Sequence, residues 1–235
     1  MMNQAAEFCE AVTTVFEEHR NEENRIPMEN YMKNHYPFFG IKAPERKQIL
    51  APLLKKYKEI TEQERLEAAV LLFEKPEREC HYAALAFLEK GIKKAPEHSI
   101  DTYKQLLMTK PWWDTVDMIA STLCGGYFFR YEDKLRPFTE EWRESDHLWV
   151  RRSSVLHQLK YKEKTDALLL FETIDSLKHE KEFFIEKAIG WALREYSKTD
   201  ARAVIDYLER EEVRPLSRRE GLKWLKSKHP ELLEG

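Results

Sequence analysis

The sequence predicts an all-α protein, and three observations carry that prediction. Glycine is scarce, seven residues in 235, and no stretch alternates apolar and polar residues as a half-buried strand would. Helix-forming residues recur instead at spacings of three and four, broken by short turns. Prolines stand where helices begin: Ala43-Pro44, Lys75-Pro76, Ala95-Pro96 and Lys110-Pro111 each place a residue with no amide hydrogen at a helix entrance.

Helices are expected at 3–19, 25–35, 44–58, 61–74, 77–90, 97–108, 112–125, 134–144, 147–160, 164–176, 181–197, 199–210 and 216–228. Thr61 and Glu64 fit a capping box, and Thr199-Asp200 suits the start of the helix over 199–210. Cys124 before Gly125-Gly126 reads as the end of the helix over 112–125. A chain of this length can bury one large core, and 1–235 is taken as a single domain.

Three segments resemble one another: "RRSSVLHQLKY" (151–161), "EKAIGWALREY" (186–196) and "RREGLKWLKSK" (218–228), with "EKPERECHYAALAFLEK" (74–90) a more distant relative. A period in the thirties with two helices per unit predicts a HEAT-like helical repeat solenoid with a concave face, in preference to a globular bundle. The equivalent positions Arg151-Arg152, Lys187 and Arg218-Arg219 then fall in one row. Such a row can follow a phosphate backbone, or it can be a solvated charged edge.

Lys and Arg total 39 against 42 Asp and Glu, a formal net charge of −3, so any nucleic-acid footprint must come from how charge is distributed. No apolar run is long enough to span a membrane and the N-terminus lacks a signal-peptide pattern, so a cytoplasmic location is expected. Cys9, Cys80 and Cys124 are odd in number, widely spaced and set in apolar patterns, and read as reduced core thiols. His81, His157 and His179 do not stand at metal-ligand spacings and read as structural. Neither a metal nor a cofactor is expected.

The stretch "PWWDTVDMIA" (111–120) stands apart. Trp113 and Asp117, four residues apart, share one helix face, while Trp112, Val116 and Ile119 fall on another that looks like core. Asp114 suits a helix N-terminus, where a carboxylate complements the dipole. Asp117, a full turn further in, has no such explanation. Gly190, beside Trp191 in mid-helix, costs about 1 kcal/mol relative to alanine and marks a close approach by another group. Arg152 falls in the intervening repeat, so these side chains can converge.

The segments "YMKNHYPFFGIKAPERK" (31–47), "TKPWWDTVD" (109–117), "WVRRSSVLHQLKYK" (149–162) and "EFFIEKAIGWALREYSKT" (182–199) together resemble the DNA alkylation repair family, the HEAT-like-repeat DNA glycosylases of AlkD type. The resemblance spans nearly the whole chain. It implies a base-excision enzyme acting on duplex DNA that carries N3- or N7-alkylated purines. The expected solenoid shape suggests a monomer, and the sequence gives no sign of a cofactor. The resemblance assigns the catalytic aspartate to Asp117, the active-site tryptophans to Trp113 and Trp191, and the arginine to Arg152, expected to hold phosphate. Candidates for further DNA contact are Tyr31, Lys42 and Lys47 at the N-terminal end, and Lys160, Lys162, Lys187 and Arg194 near the site.

The chemistry implied suits these residue types. A purine alkylated at N3 or N7 is formally cationic and leaves as a neutral base, so the general acid of the paired carboxylates typical of glycosidases is unnecessary. One carboxylate then serves to stabilise the oxocarbenium character of the sugar and to orient water. Tryptophan faces attract the cationic lesion by roughly 0.5–2 kcal/mol each. A shallow face of this kind is expected to read the sugar–phosphate backbone and to tolerate bulky adducts. The competing reading is a non-catalytic HEAT-like scaffold for DNA or a protein, and Asp117 discriminates: a carboxylate facing phosphate weakens binding unless it does chemistry.

Overall fold

The structure, a computed structural model, describes residues 3–233. It is helical throughout, with no strand among the described residues. The chain divides into two compact units, Met1–Lys110 and Pro111–Gly235, at the boundary that precedes the Trp/Asp stretch. A single domain is the expectation from sequence; each of the two units has its own set of helices.

The first unit holds α1 (Gln4–Glu18), α2 (Glu22–Tyr31), α3 (Ala43–Lys56), α4 (Glu62–Glu74), α5 (Arg78–Gly91) and α6 (Ser99–Met108). In α1 the residues Ala5, Phe8, Val12 and Phe16 are fully buried, the spacing of one helix face. Phe8 stacks on Phe87 of α5 with ring centroids 3.9 Å apart. The capping box forms: Thr61 Oγ1 accepts from the Glu64 amide at 3.2 Å, and the Thr61 amide donates to Glu64 Oε2 at 3.3 Å. Lys110, with φ at +45°, closes the unit by donating to the carbonyls of Phe73, Glu74 and Lys75 at 3.0, 2.6 and 2.8 Å, which satisfies the C-terminus of α4.

The second unit holds α7 (Trp113–Met118), α8 (Gly125–Arg130), α9 (Glu132–Arg143), α10 (Leu148–Leu156), α11 (Ala167–Leu177), α12 (Phe183–Tyr196), α13 (Ala201–Arg210), α14 (Pro215–Gly221) and α15 (Lys223–Lys228). The three mutually similar segments supply α10, α12 and the α14–α15 pair, and α10 packs on α12 as α12 packs on α14. That succession of neighbours is the helical-repeat arrangement the sequence predicts. Asp200 caps α13 through the Ala203 amide at 2.9 Å.

Two expectations change. The helix over 112–125 does not end at the glycines. Residues Ile119–Cys124 form a π-helical segment, in which the Gly125 amide bonds the Ala120 carbonyl, and α8 follows without a break. Gly125 serves close approach instead: a Cβ there would lie 2.6 Å from the His157 carbonyl oxygen. The helix over 216–228 is interrupted at Leu222, giving α14 and α15.

Cys9, Cys80 and Cys124 are buried free thiols, and burial pushes Cys80 up to about 12. His157 is buried with its pKa pushed down to about 3 by burial, and its Nε2 meets Thr139 Oγ1 at 2.8 Å. His81 has Arg78 Nη1 2.9 Å from Nδ1 and the Lys75 carbonyl 2.9 Å from Nε2. A guanidinium only donates, so the His81 proton sits on Nε2. Both are core histidines, whereas His179 is exposed. No helix among the described residues is long and apolar enough to cross a membrane.

Candidate functional site

The site builds up from the start of α7. Trp112 is extended, with φ −154° and ψ 162°, and its carbonyl accepts the amides of Thr115 and Val116 at 3.2 and 3.1 Å, which starts the helix. Val116 and Ile119 are fully buried and hold the inner face, so Asp117 points to the half-exposed side with Trp113. The π-helical segment begins two residues later. Ser121 Oγ donates to the Asp117 carbonyl at 2.7 Å, fixing the backbone where the helix widens. Wide turns of this kind recur at functional sites because they displace a side chain from the regular helical register.

Arg152 comes from α10 and is 1% exposed. Its Nε donates to Asp117 Oδ1 at 2.8 Å and its Nη2 to Oδ2 at 3.0 Å, a bidentate pair across two neighbouring helices. Its Nη1 donates to the Phe184 carbonyl at the start of α12. Behind the pair lie three rings: Trp112 stands edge-on to Trp149 (5.7 Å) and to Phe184 (5.1 Å), and Trp149 lies 4.8 Å from Phe184. Aromatic edge-to-face packing of this sort fixes ring orientation, and with it the carbonyl that anchors Arg152.

Arg152 therefore grips the carboxylate of Asp117 in this structure, where the sequence expectation puts it on phosphate. The physical reason is burial: a guanidinium with almost no exposed surface needs an internal anion. Asp117 retains 23% side-chain exposure. Burial pushes its pKa up, and the charge and hydrogen bonds of Arg152 offset this only in part, so it stays above the ordinary aspartate value. Each of its oxygens keeps a lone pair not used by Arg152.

Trp191, half-buried on α12, has the Arg152 guanidinium carbon 5.2 Å from its ring centroid and Lys187 Nζ at 5.6 Å. Trp191 and Arg152 are thus brought together with Asp117, and Trp113 stands one helical turn before the carboxylate. Gly190 answers to the close approach expected of it: a Cβ there would lie 2.5 Å from the Cβ of Glu220 on α14.

The basic row behaves differently from a free phosphate track. Arg151 pairs with Glu180 at 3.0 Å, Lys187 pairs with Glu220 at 3.2 Å, and Arg218 Nη1 donates to the Leu208 carbonyl. Arg194 also reaches Glu220, at 3.5 Å. Lys160 is exposed and bonds Thr122 Oγ1 at 2.6 Å. Lys162 is exposed, with φ at +53°.

In the first unit Tyr31 is 71% exposed, and Lys42, also exposed, precedes α3. The turn that carries Lys42 is held by Glu79, a fully buried carboxylate that accepts the amides of Phe39, Gly40 and Ile41 at 3.0, 2.9 and 3.0 Å. Gly40 has φ at +91°, and a Cβ there would meet the Asn21 carbonyl oxygen at 2.0 Å. Lys47 lines a cleft of about 610 Å³ with Leu50, Leu54, Lys55 and Lys90.

The chain matches the DNA alkylation repair enzyme family over residues 12–225. It belongs to that family. A solved structure, a predicted DNA alkylation repair enzyme from Enterococcus faecalis, is 32% identical to it with a TM-score of 0.83, and the match covers 88% of this chain and 96% of that one. No curated protein matches it.

For this member of the DNA alkylation repair enzyme family, sequence reasoning misses three things at the site. Phe184 passes as an ordinary apolar residue because its contribution is a main-chain carbonyl. Glu220 lies in "SRREGL", which reads as a charged helix surface. The π-helical register leaves no sequence signal of its own.

Proposed function

We propose that this protein is a DNA glycosylase that releases cationic N3- or N7-alkylated purines from duplex DNA. The observation that supports this most is the Asp117 carboxylate: oriented through both oxygens by Arg152, partly open to solvent, and more basic than an ordinary aspartate. Neutralising the buried Arg152 accounts for a carboxylate here, but a protein that only bound DNA would gain nothing from leaving it open to solvent, where it repels phosphate.

In the proposed reaction the C1′–N9 bond breaks and its electron pair goes to the purine, which departs neutral. The positive charge passes to the sugar as oxocarbenium character, and Asp117 stabilises it electrostatically. Water then adds to C1′, and its proton passes to Asp117 and on to solvent, leaving an abasic sugar. Arg152 fixes the carboxylate so that no reorganisation is needed when charge develops. The half-exposed faces of Trp113 and Trp191 meet the cationic nucleotide. Tyr31, Lys42, Lys47, Lys160 and Lys162 extend contact to the backbone.

Base release from a duplex carrying one N7-methylguanine tests the proposal. Release above the spontaneous rate, with none from the undamaged duplex, is expected. Tight binding of both duplexes without release would leave a DNA-binding scaffold.

A further inference from the structure

We infer that Tyr161 is a positioning residue for the Asp117–Arg152 pair: its hydroxyl clamps the π-helical segment that follows α7 to the turn that follows α10. The inference rests on the glycosylase reading above for its catalytic consequence, though not for its geometry.

The pair joins two helices that must keep one register. Asp117 is carried by α7 and Arg152 by α10, and α10 packs both on α7 and on the segment Ile119–Cys124. A bidentate contact tolerates little sliding, because both N–H groups of the fork must stay in line with both oxygens. The helix α7 is six residues long and runs straight into wide turns. Its own hydrogen bonds are too few to fix where Asp117 stands relative to α10.

A second set of contacts does so, further along both stretches of chain. Gly125 follows Asp117 by eight residues, and Tyr161 follows Arg152 by nine. Tyr161 Oη donates to the Gly125 carbonyl at 2.7 Å. Lys160 Nζ donates to Thr122 Oγ1 at 2.6 Å, inside the π-helical segment. Gly125 itself lies against the His157 carbonyl, 2.6 Å from where a Cβ would stand. His157 is held in turn: its Nε2 meets Thr139 Oγ1 at 2.8 Å, and its ring lies edge-on to Phe128 at 5.3 Å. At the near end of the segment, Ser121 Oγ holds the Asp117 carbonyl at 2.7 Å. The π-helical segment is thus tied to Asp117 at one end and to the turn over 157–161 at the other.

The phenol suits this task. Burial pushes its pKa up, and Cys124 and Glu132 push it the same way, so the hydroxyl keeps its proton and remains a donor wherever Asp117 titrates. The Tyr161 ring stands edge-on to Phe129 at 5.5 Å, a contact that does not need the hydroxyl. Tyr161→Phe therefore removes the clamp and leaves the ring in place.

The Asp117 carboxyl itself gauges the register. Burial raises its pKa, the charge and hydrogen bonds of Arg152 lower it, and Asp114 raises it slightly further. If α10 slips against α7, the Arg152 contacts lengthen and Asp117 becomes more basic. A residue that only added stability would leave this balance alone.

The test follows the Asp117 carboxyl carbon by carbon-13 NMR through a pH titration, its signal assigned by its loss in Asp117→Asn, with single-turnover base release measured in parallel. Tyr161→Phe should move the titration to higher pH and slow release by about tenfold, less than a full 1 Å displacement would. Gly125→Ala strains the same junction from the other side and should move the titration the same way; if it fails to fold, Tyr161→Phe decides alone. Tyr207→Phe is the matched control. It removes another part-buried phenol donor, bonded to Asp175 Oδ1 at 2.9 Å between α13 and α11, and should lower Tm without moving the Asp117 titration. An unmoved titration in Tyr161→Phe, or an equal movement in Tyr207→Phe, would overturn the positioning role. So would undiminished release despite a moved titration. A titration that moves only in the Tyr161 and Gly125 variants, in a protein that releases no base, would sink the glycosylase reading and leave the clamp standing.

Discussion

Arg152 meets Asp117 edge-on, Nε to Oδ1 at 2.8 Å and Nη2 to Oδ2 at 3.0 Å, with the guanidinium buried and the carboxylate partly open. The geometry makes Arg152 a holder of the reacting group. Only a planar fork can occupy both oxygens at once, so Arg152→Lys should orient Asp117 poorly even though charge is kept. A fall of one to two orders of magnitude in single-turnover base release is expected, with duplex affinity nearly unchanged. Equal rates would show that the bidentate contact is incidental.

Removing either partner should also cost stability. Arg152→Ala leaves a mostly buried carboxylate without its cation, and a loss of about 2–3 kcal/mol is expected in urea unfolding, below the range for fully buried pairs because Asp117 still reaches water. Activity comparisons therefore belong at equal folded concentration.

Burial raises the pKa of Asp117, and the carboxylate is the active form. Base release should fall as the solution is acidified, with a midpoint above the ordinary aspartate value of about 3.9. The same shift affects stability in the opposite sense. An acid whose folded pKa is raised contributes stability below its unfolded value, and that contribution disappears as pH rises through the folded value. Asp117→Asn, which removes that opposing contribution, should accordingly steepen the loss of stability on acidification. A rate profile with no acid limb down to the unfolding range would contradict the assignment.

Gly190→Ala should destabilise the second unit although alanine is the better helix former by about 1 kcal/mol. The new methyl would meet the Cβ of Glu220 at 2.5 Å and the Ser217 carbonyl oxygen at 3.0 Å. Pushing α14 off α12 should cost about 1–3 kcal/mol net, visible as a lower Tm.

Glu79→Gln should loosen the turn over 39–41. A carboxylate can accept three amide hydrogens, whereas an amide side chain turns a donor towards at least one of them. A loss of about 1–3 kcal/mol is expected, with faster hydrogen exchange at Phe39, Gly40 and Ile41 as the local readout.

How far the sequence can be read follows from what each feature depends on. Helices are legible because apolar spacing is a local property, and α1 shows it through Phe8, Val12 and Phe16. The repeat is legible because "AIGWALREY" and its relatives each bury one face against the next. Gly190 announces a close approach through the cost of a mid-helix glycine, without naming the group that approaches. The partner of Arg152 is not legible, since a row of arginines looks the same whether it faces phosphate or an internal carboxylate. Burial decides that, and burial depends on which helices meet. The run-on of α7 into α8 escapes for a similar reason: Gly125 serves a contact with the His157 carbonyl, 32 residues away in the chain, and the local pattern gives only the glycine.

The proposed chemistry turns on Asp117 acting as a carboxylate in base release. The deciding comparison sets the protein against its Asp117→Asn variant, at equal folded concentration, on a duplex with a single N7-methylguanine, and records binding and single-turnover release separately. The variant should bind the duplex at least as tightly, having lost a charge that repels phosphate, and should release base no faster than the spontaneous rate. Equal release by both proteins would show that the carboxylate does not do the chemistry.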